Sequence, residues 1–182
     1  MPDRLQGYRP TARWLHWIVA AAVLAMIPAG LVMVQEGLPR PVQDALFVLH
    51  KNLGALLIPV ILVRVIYRLT HRPPPLPDSI PRWQRRAAAL SHGMLYGLLV
   101  VMPVSGFVRV RAGGYPVELL DRLGFGPWIG RSERLADAAS ALHQAAAFLL
   151  IAVLAVHAGA ALQHALIRRD GVWSRMWPPG RG

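Results

Sequence analysis

Four stretches of this 182-residue chain are apolar for long enough to cross a lipid bilayer, and no other feature limits its fold as strongly. They run over about Trp14–Val34, Ala45–Tyr67, Ala87–Val108 and Ala138–Ile167. Each approaches or exceeds the roughly 20 residues that a hydrocarbon core of about 30 Å requires at about 1.5 Å per helical residue. A soluble helical bundle would alternate polar faces with apolar ones, and these runs do not. The reading is an all-α membrane protein: a four-transmembrane-helix bundle forming one domain over residues 1–182, with the lipid bilayer as its surroundings. The first run follows Arg4, Arg9 and Arg13, as a secretory leader follows its basic region. It is too long for one, however, and it opens on "RWLHW", whose two tryptophans suit anchors at a membrane interface, so it is read as a retained helix.

The formal charge of +11 raises the question of nucleic acid, and its distribution answers it. Thirteen Lys and Arg residues fall in the N-terminus, the segment Arg64–Arg86 and the tail from Arg168, against seven on the other side of the apolar runs. Such alternation is a topology signal, not a binding stripe. By the positive-inside rule it places both termini and the second connection in the cytoplasm. The connection "QEGLPRPVQD" is short, which makes the first two helices antiparallel neighbours. "RPPPLP" in the second connection cannot be helical. The third connection, Arg109 to Asp137, carries "GGYP" and "GFGPWIG" and is too rich in Gly and Pro for a long helix. Its Tyr115, Phe125 and Trp128 suit a flap on the outer interface. Pro28, Pro59 and Pro103 fall inside the first three helices, where a bundle tolerates them.

The chain has no cysteine, which excludes thiolate metal sites, iron–sulfur clusters and covalent haem attachment. The spans contain no Asp or Glu, yet they hold histidines. Zinc and di-iron sites add carboxylates or thiolates, and proton relays use acids. Buried histidines without acids suit a site that needs imidazole alone, and haem b held between two histidines is such a site.

Spacing supports that reading. Fourteen residues separate His143 from His157, which puts them about 40° apart around one helix and about 21 Å apart along it. One helix face can therefore serve two haems, one toward each leaflet. His50 begins the second helix and matches His143 in depth. His16 begins the first helix and faces the depth of His157 or His164, between which spacing does not decide. His157 lies in an apolar run followed by "AGAA", whose small side chains let a flat macrocycle approach, whereas His164 lies nearer the surface. Gly54, one turn after His50, clears space in the same way. His92 fits a structural partner, a fifth ligand or a quinone hydrogen-bond donor. His71 is expected at the surface. Arg64 and Arg68, at the inner end of the second helix, either snorkel to lipid phosphate or pair with a haem propionate. Lys51 either snorkels, pairs with an outer propionate, or attracts an anion. With Arg109, Arg111, Arg131 and Arg134 flanking the third connection, it forms a basic rim that would steer a small anion.

"HW" in the first helix, "LHKNLG" in the second, "SHGMLYGLLVVMPVSG" in the third, and "LHQ" with "LAVHAGAALQH" in the fourth together resemble the bacterial cytochrome b561 family over nearly the whole chain. The resemblance implies a multi-pass electron-transport protein of the bacterial inner membrane carrying two non-covalent haems b. It implies axial iron ligands His16 with His157 and His50 with His143, which selects His157 over His164. Compact members resemble superoxide oxidase, which passes electrons from superoxide to ubiquinone. Others are cytochrome subunits that carry electrons between a partner redox protein and the quinone pool.

Overall fold

The structure is a computed structural model and describes residues 7–77 and 79–177. Arg4 and Arg181, counted above among the inner basic residues, lie outside the described residues. Five α-helices follow in order: α1 Pro10–Val32, α2 Arg40–Thr70, α3 Arg82–Ala112, the short α4 Glu118–Arg122, and α5 Glu133–Leu162. A π-helical turn over Gln163–Arg168 continues α5, and a 3-10 turn covers Trp173–Arg175. Among the described residues, four helices are long and apolar enough to cross a membrane: α1, α2, α3, and α5 with its π turn.

The helices start where the chain can begin one cheaply. Pro occupies the first turn of α1 and of α2, where its missing N–H would have had no helical acceptor. Ser132 caps α5 by accepting a hydrogen bond from the Leu135 N–H. The helices also run past their apolar stretches. Polar residues such as Arg109 and Arg111 continue α3 beyond the hydrocarbon, because leaving the bilayer does not end a hydrogen-bonded ladder. Pro28, Pro59 and Pro103 do lie inside α1, α2 and α3.

Packing is sequential: α1 on α2, α2 on α3, and most extensively α3 on α5, while α1 has no comparable packing on α5. Val19, Val23, Leu57, Ile61, Leu98, Ala146 and Leu150 form the buried core. On α5, Ala146 and Leu150 lie between His143 and His157, so the core fills the middle of the bundle and leaves one histidine level on each side of it. Leu24, Ile66, Phe148 and Val156 are exposed on the outer faces, as suits helices whose solvent is lipid.

The end of the bundle at which the described chain begins and ends, expected from the sequence to be the inner one, is tied together by the segment after α5. It is called the inner end, and the opposite one the outer end. The Tyr8 N–H donates to the Arg175 carbonyl at 3.0 Å. Arg175 Nη2 donates to the Pro74 and Pro75 carbonyls at 2.5 and 2.8 Å. Arg175 is buried, and its guanidinium lies 5.7 Å from the centre of the Tyr8 ring. Desolvation lowers its pKa, with partial relief from Tyr8. Trp17 does more than expected. Trp14 is exposed, but the Trp17 indole N–H donates to the Met176 carbonyl at 3.0 Å, and its ring packs edge-on against Trp173 and Trp177. Trp17 therefore anchors the C-terminal segment. His71 is also not free at the surface. It is half-buried and stacks on Tyr67 at 4.0 Å with the rings nearly parallel.

Candidate functional site

At the outer level, α2 and α5 bring His50 and His143 together, with ring centroids 6.3 Å apart. His143 Nδ1 lies 2.9 Å from the Met102 carbonyl and 3.2 Å from Ser105 Oγ, and the Ser105 hydroxyl donates to the same carbonyl. A carbonyl only accepts, so Nδ1 carries the proton and Nε2 keeps a free lone pair. Second partners of this kind orient metal-ligating histidines. His50 Nδ1 is buried and makes no hydrogen bond of standard geometry, although the Met26 backbone lies close enough to act on the ring. Two glycines stand against these rings. A Cβ at Gly30 would fall 2.8 Å from His50 Cε1, and one at Gly106 would fall 3.0 Å from His143 Cε1. Sequence reasoning missed both, since nothing local distinguishes them. Gly54, which was expected to clear space, faces the tip of Met26 instead.

At the inner level, His16 of α1 and His157 of α5 have ring centroids 6.4 Å apart. His92 joins them from α3, with its centroid 5.3 Å from that of His157. His164 is engaged elsewhere: its Nδ1 lies 2.6 Å from Asp170 Oδ2, just past the π turn. Arg64 turns inward, its Nη2 3.0 Å from His16 Nδ1 and its guanidinium 5.5 Å from the Tyr96 ring centre. Arg68 Nη1 and Arg64 Nε are buried without hydrogen-bond partners. Both arginines line an inner-face cavity of about 260 Å³ with Arg72, Tyr8, Tyr67 and Tyr96. A second cavity, of about 420 Å³, reaches His92 and Gly93.

These residues fit a haem iron held between two imidazoles. A metal–imidazole bond of about 2.0 Å on each side, plus roughly 1.1 Å from each nitrogen to its ring centre, gives centroids about 6.2 Å apart. Both pairs have that spacing. They also span α1–α5 and α2–α5, helix pairs without the extensive packing of α3 on α5, so the rings bridge spaces between helices. The Arg64 contact is the one point of conflict. Arginine cannot accept, so His16 accepts at Nδ1, and its proton then sits on Nε2. Binding iron through Nε2 requires Arg64 to release Nδ1. Among the described residues, no group of three or more His, Asp or Glu side chains is arranged to hold a bare metal ion.

Lys51 follows His50 but is not open to solution. Its Nζ lies 2.5 Å from Glu118 Oε1 and 3.0 Å from the Pro116 carbonyl, and its side chain is 15% exposed. Asn52 Nδ2 donates to Glu118 Oε2, and Asn52 Oδ1 accepts from the Leu119 N–H. Desolvation pushes the Glu118 pKa up, but hydrogen bonds from Lys51 and Asn52 outweigh it and hold the carboxyl below its ordinary value of 4.5. On the far side of α4, Arg111 makes a two-pronged pair with Asp121, which it holds below its ordinary value of 3.8. Arg111 is buried and so cannot belong to an open basic rim. Arg131 lies 3.9 Å from Glu133, both well exposed. Three outer cations thus have carboxylate partners: the fold of the third connection brings Glu118 to Lys51 and Asp121 to Arg111, while Glu133 is a sequence neighbour of Arg131. Arg109 is the arginine whose charge acts on both His50 and His143.

A four-helix membrane bundle with two levels of facing imidazoles points to the class of b-type membrane cytochromes. The chain belongs to the prokaryotic cytochrome b561 family, which it matches over residues 7–179. It is similar to "Cytochrome b561 homolog 2" of Escherichia coli (strain K12), with 32% identity over 162 residues, covering 88% of this chain and 86% of the relative. It is 26% identical to "Cytochrome b561 homolog 1" of the same organism over 176 residues, covering 96% of this chain and 98% of the relative. It is also 25% identical over 172 residues to a "Probable superoxide oxidase CybB" of Yersinia pestis, covering 92% of this chain and 94% of the relative. This is therefore a membrane electron-transfer protein, and its family implies that it binds haem b.

Proposed function

We propose that the protein binds two haems b, one between His50 and His143 and one between His16 and His157, and acts as a superoxide:ubiquinone oxidoreductase of the bacterial inner membrane. The observation that carries the haem reading is the imidazole spacing of 6.3 and 6.4 Å at two levels of one bundle. Haem b supplies one-electron redox chemistry when bound. The chain's residues do the rest. Met102 and Ser105 fix the tautomer and tilt of His143. Arg64 and Arg68, buried with unpartnered nitrogens, are placed to neutralise inner propionates, a role that also frees His16 Nδ1. Both termini lie in the cytoplasm, which puts His50, Lys51 and α4 at the periplasmic face. There each of two superoxide anions gives up one electron and leaves as dioxygen, and one quinone in the bilayer takes up both electrons with two protons from solution to become the quinol. Arg109 supplies the positive charge that draws the anion in, while the charge of Lys51 is largely offset by Glu118. Support for superoxide comes from the relative named for that activity and from Arg109 beside the outer pair.

The rival reading is a cytochrome subunit carrying electrons between a partner redox protein and the quinone pool. The ion pairing of Lys51, Arg111 and Arg131 favours it, since an outer face with little free charge suits docking more than anion capture. A superoxide pulse given to oxidised protein decides between them. Fast reduction, slowed by salt and reoxidised by added ubiquinone, supports the oxidase. Reduction no faster than background, with ready reduction by quinol, supports the subunit.

A further inference from the structure

The two residues that follow His50 hold down a piece of the third connection. Lys51 and Asn52 make four polar contacts with α4 and its approach: to Pro116 O, to both Glu118 carboxylate oxygens, and to the Leu119 N–H. The contacts do different jobs. The Asn52 carbonyl to Leu119 bond, the Arg111–Asp121 pair and the buried Val117 seat the α4 backbone. The Val117 N–H, bonded to Asp121 Oδ2, adds to that seating. Glu118 adds a charge instead. Its carboxylate cancels Lys51 one residue from His50, and the pair is only partly shielded from water at 15% and 28% side-chain exposure. A paired charge acts at a distance as a dipole, whose field falls faster than that of a lone cation, so Lys51 attracts an approaching anion far less than its charge alone would.

We infer that Glu118 tunes the charge selectivity of the outer face: by neutralising Lys51 it weakens the pull on small anions, leaving Arg109 to attract them, and opens the face more to neutral or cationic redox partners. This rests on the reading of His50 and His143 as the outer haem site. It does not depend on superoxide as the substrate. Glu118→Gln keeps the shape of the side chain and a hydrogen-bond acceptor for Lys51 while removing the opposing charge. Lys51→Gln leaves Glu118 unopposed.

The test is stopped-flow reduction of the oxidised, haem-loaded protein at low salt by two one-electron reductants of opposite charge. They are the sulfur dioxide radical anion from dithionite and the hexaammineruthenium(II) dication. Glu118→Gln should speed the anion by about threefold or more and slow the dication, Lys51→Gln should do the reverse, and high salt should erase both effects. Amide hydrogen exchange provides a second readout, in which the Leu119 N–H and the rest of α4 should stay within about twofold of wild-type protection in Glu118→Gln, because other contacts seat the helix. Equal rates in wild type and Glu118→Gln overturn the inference. So does acceleration of both reductants together with loss of α4 protection, which would make α4 a steric cover. If the selectivity shifts as expected but superoxide does not reduce the protein, the superoxide reading fails and the role of Glu118 stands.

Discussion

The imidazoles of His50 and His143 face each other at 6.3 Å, and the hydrogen of a glycine stands where a methyl group would strike each ring: Gly30 for His50 and Gly106 for His143. The tighter case is Gly30, where a Cβ comes to 2.8 Å. Gly30→Ala should push His50 out of line, at about 1–3 kcal/mol for overpacking a fitted site. Gly106→Ala meets a ring that Met102 and Ser105 already hold, so that ring cannot swing away freely. In either variant the outer haem should be lost or altered while the inner one persists, which is visible in the reduced-minus-oxidised optical spectrum.

The spans were legible because membrane helices are written as uninterrupted apolar runs, and all four formed. The shared face and the two depths of His143 and His157 were legible because fourteen residues of regular helix keep one face and set a depth. Spacing left His16 between His157 and His164, however, and only the family resemblance chose His157. The outer ion pairs were not. Lys51 and Glu118 are 67 positions apart, and only the folded path of the third connection joins them. The anchoring role of Trp17 was hidden for the same reason, since its acceptor at Met176 lies 159 positions away. The short helix α4 was hidden within a Gly- and Pro-rich connection because five residues carry too little periodicity to detect.

His157, His164 and His92 separate in one set of variants. His157→Ala should abolish the inner haem. His164→Ala should leave both haems in place, because that side chain pairs with Asp170. His92→Ala should also keep both and shift the inner spectrum, because its ring only abuts His157. Haem content and spectra of the purified variants give the answer. Loss of the inner haem in His164→Ala with retention in His157→Ala would reverse the assignment.

The clip on α4 should be acid-labile. Asp121, whose bonds to Arg111 and to the Val117 N–H seat the helix, is held below its ordinary value of 3.8 by Arg111. A carboxylate depressed in the folded state contributes stability that is fully present above its unfolded pKa and is lost as pH falls through the depressed value. Protection of α4 amides, corrected for intrinsic exchange, should therefore be constant from neutral pH down to the ordinary carboxylate range and fall below it. Loss of protection already near pH 6 would show that other groups hold α4.

Arg175 should matter for stability and little for the outer site. Its guanidinium donates to two carbonyls of the proline-rich connection, and its own carbonyl accepts from Tyr8. Arg175→Ala strands those carbonyls and should cost about 1.5–3 kcal/mol. Thermal unfolding followed by haem absorbance should show an earlier transition, with the outer haem spectrum unchanged before it.

The measurement closest to the central claim is haem stoichiometry by pyridine haemochrome on purified protein and on one variant from each imidazole pair. The account predicts two haems b per chain in the wild type, both six-coordinate and low-spin, and one each in His143→Ala and His157→Ala, with different spectra remaining. One haem or none in the wild type, or loss of both from either single variant while the fold is retained, would contradict it.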